Sequence, residues 1–169
     1  AVRSGVIERS TKETSIALRV GLDGRGRYEI STGIRFLDHM LELVARHGGF
    51  DLVLDARGDL DVDEHHTVED VALVLGAALA EALGDRAGIA RFGEASVPMD
   101  EALATAVLDV GGRPYAALDL AFRGERIGAL PTQLVDHALE SFARTAGLTL
   151  HLRAAGRNDH HVAEAAFKA

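Results

Sequence analysis

Histidine, glutamate and their spacing carry the chemistry of this chain. The run His65-His66-Thr67-Val68-Glu69 stands near the middle and His160-His161-Val162-Ala163-Glu164 near the end, each at the head of a stretch with helical periodicity. On a helix, residues i and i+4 share a face, whereas adjacent residues point about 100° apart. His65 therefore sides with Glu69, and His160 with Glu164, while His66 and His161 diverge. One cation cannot easily take both histidines of a pair. Two cations can, one on each side of the helix. His39 and His137, each following an aspartate just inside a helix, bring the set to six imidazoles and two carboxylates. Eight donors divide into two sites of four, with positions over for water or substrate. Nitrogen and oxygen donors in partly open octahedral sites suit Mn, Fe, Co or Zn, and spacing does not choose among them.

Each histidine taken singly has a plainer explanation, as a surface group or a hydrogen-bonded core residue. A cationic pair at a helix start even opposes the helix dipole. Six histidines and two glutamates returning in matched positions are not explained that way, so the set is read as metal-binding. His47 differs: it sits in the last helical turn before Gly48, where a favourable dipole interaction suffices. His151 falls on a strand and is read as structural. Phosphate-sized anions call for arginine or lysine. Arg113 in Gly-Gly-Arg-Pro-Tyr, Arg91 before Phe92-Gly93, and Lys168, four residues beyond Glu164, are candidates, each with a solvated surface charge as the alternative. Glu13, at the head of a strand, is unremarkable by itself.

The elements that must position these residues are written twice. From Asp38 the chain reads DHMLELVARHGGFDLVL, and from Asp136 DHALESFARTAGLTLHL. Asp38/Asp136, His39/His137, Leu41/Leu139, Glu42/Glu140, Ala45/Ala143, Arg46/Arg144 and Gly49/Gly147 are identical pairs, whereas His47 meets Thr145. The His-His-x-x-Glu blocks follow in the same order, and Arg3, Gly5 and Glu13 align with Arg91, Gly93 and Glu101. We read two half-repeats, 1–86 and 87–169, joined near Gly84 to Ala90. In the first, strands Gly5 to Arg9 and Thr14 to Leu22 precede a turn, Asp23-Gly24-Arg25-Gly26, that closes a hairpin with Tyr28 to Thr32. A helix Phe36 to Arg46 stopped by Gly48-Gly49, a strand Phe50 to Ala56 and a helix His65 to Leu83 follow. The second half predicts strands Phe92 to Val97, Leu103 to Val110 and Tyr115 to Phe122, a helix Leu134 to Ala146, a strand Leu148 to Ala154 and a helix opening at His160. Four strands and two helices per half, with the helices covering one sheet face, make an internally duplicated α+β sandwich. Its pseudo-two-fold is expected to bring equivalent elements together.

Composition narrows the classes. The 169 residues are 47% hydrophobic and 26% charged, which suits a globular fold. A formal net charge of −8 argues against broad binding to nucleic acid or an anionic membrane. With Cys 0 there are no disulfides, thiolate ligands or cysteine nucleophiles, which suits a reducing, cytoplasmic setting. The polar N-terminal stretch has no signal-peptide core, and Val68 to Leu83 carries Glu69, Asp70 and Glu81, so no membrane span is expected.

The segments FLDHML, DEHHTVEDVALVLG, RFGEASVPMDEAL, GGRPY and GRNDHHVAEAAFKA together resemble the imidazoleglycerol-phosphate dehydratases of histidine biosynthesis, over essentially the whole chain. The resemblance implies duplicated halves of the ribosomal protein S5 domain 2-like type and two Mn²⁺ per active site. It also implies self-association to a 24-mer built from trimers, with active sites between subunits. It places His39, His66, His160 and Glu164 on one metal, and His65, Glu69, His137 and His161 on the other. Substrate contacts carried over are Glu13, the stretch from His39 to His47, His65, Glu69, Arg91, Arg113, His160 and Lys168, with the basic residues on phosphate. The implied reaction removes water from imidazoleglycerol phosphate to give imidazole-acetol phosphate. The proton to be lost sits on a carbon beside the ring, with no carbonyl to make it acidic. Two metals on the ring nitrogens would favour an imidazolate able to expel the neighbouring hydroxyl. A carboxylate must move the proton, and Glu13 is the acidic site residue not used on metal. Family members usually continue past the final Phe-Lys-Ala with more helix and a Ser/Thr-Lys-Gly segment, so the C-terminal tail is expected to be truncated here. From the residues alone, a dinuclear metallohydrolase and a non-catalytic metal-storage protein remain competing classes.

Overall fold

In chain order the first half, as described by a computed structural model over residues 3–169, runs β1 (Ser4–Ser10), β2 (Thr14–Gly21), β3 (Tyr28–Ser31), α1 (Arg35–Gly48), β4 (Asp51–Gly58) and α2 (His65–Leu83). The first two residues of the expected 1–86 half fall outside that description. The second half runs β5 (Phe92–Met99), β6 (Ala102–Asp109), β7 (Tyr115–Leu120), β8 (Arg126–Ile127), β9 (Leu130–Pro131), α3 (Thr132–Ala146), β10 (Thr149–Ala155) and α4 (Asp159–Lys168). Alternation on β2 puts Ile16, Leu18 and Val20 on the buried face, level with Ala56, Leu54 and Leu52 of β4. Gly49 (φ 71°) and Gly147 (φ 67°) end α1 and α3 in the left-handed conformation, as their equivalent positions in the repeat require.

The two sheets have the same order, β1-β2-β4-β3 and β5-β6-β10-β7. This corrects the expected hairpin between Thr14–Leu22 and Tyr28–Thr32. β4 lies between β2 and β3, antiparallel to the former and parallel to the latter. The reason is that β3, α1 and β4 form a crossover unit, which sets its two strands side by side in parallel. The Asp23–Arg27 loop consequently crosses the end of β4, where Asp51 Oδ1 accepts the backbone N–H groups of Arg25 and Arg27 at 2.9 and 3.0 Å.

Helices cover only one face of each sheet, but the pairing of the halves also differs from expectation. Non-equivalent helices meet: α2 packs on α3, and α1 on α4. The repeat exchanges these two pairs, so the pseudo-symmetry is kept while each interface joins one helix from each half. α2 is apolar nearly all round, burying Val68, Val71, Val74 and Ala78 between the first sheet and α3. At their crossing a Cβ on Gly76 would stand 2.1 Å from Thr145 Oγ1, and that hydroxyl donates to the Leu73 carbonyl at 2.7 Å. Thr145, the counterpart of His47, therefore has a packing role. The short β8–β9 ribbon was not anticipated; its Arg126 pairs with Glu64, just ahead of α2, at 3.1 Å. An apolar cleft of about 360 Å³, lined by Leu41, Val44, Leu75, Leu108, Phe142 and Leu150 among others, opens between the helices and the second sheet. His151 lies on the outer, exposed face of β10, so it supports no core. Among the described residues no helix is long and apolar enough to cross a membrane.

Candidate metal centres

The exchanged helix pairs create two clusters. Packing of α2 on α3 brings His65 and Glu69 to His137. His65 Nε2 is 3.5 Å from Glu69 Oε2, His137 Nε2 is 3.4 Å from Glu69 Oε1, and the two imidazole centroids are 4.8 Å apart. Packing of α1 on α4 brings His39 to His160 and Glu164. Here Glu164 Oε2 lies 3.5 Å from His39 Nε2 and 2.9 Å from His160 Nε2. Within each cluster one donor atom per residue lies within 4.8 Å of the others. Each cluster draws on both halves, and each keeps together the i,i+4 partners that helix geometry assigned.

His66 and His161 turn away, as their positions dictate. Their rings stand nearly perpendicular to those of His65 and His160, at 82° and 83°. Within the chain neither joins a cluster. His66 Nδ1 instead meets Asp59 Oδ2 at 2.8 Å, and its Nε2 faces Glu13 at 3.6 Å. The hydrogen bond to Asp59 raises the His66 pKa above its ordinary value. His161 Nδ1 is held by Glu101, and its Nε2 faces Asp100 at 3.8 Å. The bond from His161, reinforced by the backbone N–H groups of Arg157 and Asn158, lowers the Glu101 carboxyl to about 2. Local hydrogen bonds hold both pairs in place: Asp63 Oδ1 accepts the His65 N–H two residues on, and Asn158, the N-cap of α4, accepts the His161 N–H at its Oδ1.

The donor sets fit a divalent cation. Imidazole nitrogens and a carboxylate converge, and His137 Nε2 is buried without a hydrogen-bond partner. The cationic candidates are distributed less tidily. Lys168 Nζ sits 2.9 Å from Glu164 Oε1, on the oxygen that the histidines leave free. Burial would raise the Glu164 pKa, but hydrogen bonds from Lys168 and His160 outweigh it and hold the carboxyl below its usual value. Arg91 binds Asp109 through Nε and Nη2 at 2.8 and 3.2 Å and lies over the Phe92 ring. Arg113 is exposed in the turn after β6, and His47 is exposed at the end of α1. None of these three makes an ion pair with either cluster among the described residues. Sequence reading passed over Asp59 and Glu101. Alignment of Glu101 with Glu13 was the available signal, whereas Asp59 aligns with Arg157 and had none.

Fold and site together define a class: a duplicated α+β protein that mounts two imidazole–carboxylate clusters on helix pairs exchanged by its internal symmetry. The model for imidazoleglycerol-phosphate dehydratase matches residues 32–169, and the chain belongs to that family. It is 56% identical to the imidazoleglycerol-phosphate dehydratase of Methanosarcina mazei, covering 99% of this chain and 88% of that one. Among solved structures it resembles the Staphylococcus aureus enzyme (TM-score 0.88, 35% identity, covering 98% of this chain and 92% of that one). The Pyrococcus furiosus structure is similar as well (TM-score 0.83, 36% identity, covering 96% and 87%).

Proposed function

We propose that this chain is a dehydratase that converts imidazoleglycerol phosphate to imidazole-acetol phosphate in histidine biosynthesis, in the cytoplasm, with two Mn²⁺ per active site. The observation that carries the reading is the pair of matched clusters, one of which contains the unpartnered His137 Nε2. His39, His160 and Glu164 would hold one ion, and His65, Glu69 and His137 the other. A chain thus offers two clusters of three donors and two separate imidazoles. His66 completes the first centre and His161 the second, each in a neighbouring copy of a 24-subunit assembly built from trimers. Such sharing accounts for why these two histidines face away from the clusters of their own chain.

When bound, the ions supply Lewis acidity at the nitrogens of the substrate imidazole. The protein supplies the rest. Glu13 is exposed beside His66 and takes the proton from the carbon next to the ring. Arg91 has spent Nε and Nη2 on Asp109, which leaves Nη1 for a phosphate oxygen, and exposed Arg113 adds a second cation. Lys168 bridges toward the phosphate from its place on Glu164.

The test is to incubate the purified protein with Mn²⁺ and imidazoleglycerol phosphate and follow imidazole-acetol phosphate. Release of inorganic phosphate instead would mark a metallohydrolase, and tight metal binding without turnover a storage role. Glu13→Gln is expected to bind Mn²⁺ and substrate like the parent while kcat falls about 10²–10⁴-fold. Turnover of that variant at the parent rate would remove Glu13 from the mechanism.

A further inference from the structure

The two halves hold His66 and His161 by the same device made from different residues. In the first half Asp59, just beyond β4, takes Nδ1 of His66. In the second Glu101, between β5 and β6, takes Nδ1 of His161. The repeat does not relate these acids. Asp59 aligns with Arg157, and Glu101 aligns with Glu13, which lies on the opposite side of its histidine, near Nε2. A contact inherited through duplication would sit at equivalent positions. One reached from two unrelated positions reflects a requirement that both histidines share.

That requirement follows from imidazole chemistry. A carboxylate only accepts, so it keeps the ring proton on Nδ1 and leaves Nε2 as a bare lone pair directed away. This is the tautomer and orientation that a metal ligand needs, and ligating histidines generally have such a partner. Glu101 is itself fixed by the Arg157 and Asn158 N–H groups, at 2.5 and 3.2 Å, and Asp59 is tied by its own N–H to the Glu13 carbonyl at 3.1 Å.

We propose that Asp59 and Glu101 are positioning residues that set His66 and His161 as Nε2 ligands for the metal centres of a neighbouring copy, and that Asp59 thereby leaves Glu13 free for proton transfer. In the second half Glu101 is spent on His161, so the duplicated site keeps one working acid. The inference rests on the reading that His66 and His161 complete shared centres, and the test separates the two.

Mn²⁺ affinity is measured on the purified protein from the electron-paramagnetic signal of free Mn²⁺, for the parent and for His66→Gln, His161→Gln, Asp59→Asn and Glu101→Gln. Each histidine variant is expected to lose tight binding at one of the two classes of site. Each acid variant is expected to weaken it about 10–100-fold, with the unfolding midpoint of the metal-free protein unchanged for Asp59→Asn. Parent-like affinity in both histidine variants would overturn the shared centres. Weakened histidine variants with parent-like acid variants would overturn the positioning role alone. Nitrogen-15 shifts of the metal-free parent in alkaline buffer add a measurement that no variant can spoil. They should report the Nδ1–H tautomer for His66 and His161, and the Nε2–H tautomer would overturn the proposal.

Discussion

Asp38 and Asp136 are one residue in two copies of the repeat, yet their surroundings differ. Asp38 is buried and satisfied: Oδ1 accepts the Thr32 N–H at 2.9 Å and the Thr32 hydroxyl at 2.5 Å, and Oδ2 is 3.4 Å from Arg35. Asp136 finds Leu130 and Gln133 at the corresponding positions, and its Oδ1 is buried with no partner. Burial, with the nearby Glu140 charge, raises its pKa. A carboxyl whose folded pKa exceeds its unfolded value penalises the folded state once ionised. Stability from this group is therefore greatest below the unfolded value and declines as pH rises toward the folded one. Asp136→Asn should match or exceed the parent in urea midpoint at neutral pH, with the difference vanishing below about pH 4. Asp38→Asn should cost about 1–3 kcal/mol, because a buried donor pair loses its charged acceptor. Urea titrations of the metal-free protein compare the two, and equal destabilisation by both substitutions would contradict this account.

Among the elements, α2 comes very close to β1 at Gly5, where a Cβ would stand 2.0 Å from the Ala78 carbonyl oxygen. Gly5→Ala should lower stability by about 1–3 kcal/mol through overpacking. Thermal unfolding measures the loss, and a parent-like midpoint would show that α2 does not constrain β1 at this position. These local features explain what could be read in advance. The bounds of α2, the two αL helix ends and the buried face of β2 follow from short-range patterns. Within the clusters, the His65–Glu69 and His160–Glu164 pairs follow from i,i+4 geometry reinforced by the repeat, whereas the places of His137 and His39 beside them were implied only by the family resemblance. Strand order did not, because the choice between β3 and β4 as the neighbour of β2 is made by a crossover through α1. Strands of two residues, such as β8 and β9, leave no periodicity to read. Asp59 was invisible because its equivalent in the other half is Arg157, so the repeat carried no acidic signal at that position.

At the scale of the whole molecule, neither half owns a centre. Each cluster takes residues from a helix of the first half and a helix of the second, so the duplication becomes useful only after the halves pack. That packing is apolar: Val68, Val71, Val74, Leu134 and Val135 are buried between α2, α3 and the first sheet. On the proposed reading of shared centres, the two imidazoles turned away from the clusters are the donors that would join one copy to the next. Folding of the chain and association of its copies should therefore respond differently to metal. Anything that binds only the associated form stabilises that form by mass action, and its removal should withdraw that support while leaving the helix interfaces intact. Stripping Mn²⁺ with a chelator is expected to lower the mass seen by light scattering toward smaller assemblies. Far-ultraviolet circular dichroism and cooperative unfolding should persist, and added Mn²⁺ should restore the larger particle. Imidazole ligands compete with protons, so the same dissociation should follow mild acidification. It should begin at higher pH than an ordinary histidine would dictate, because Asp59 raises the pKa of His66 and its protonated form cannot ligate. An assembly whose mass is indifferent to both chelator and pH would mean that no ligand crosses between copies.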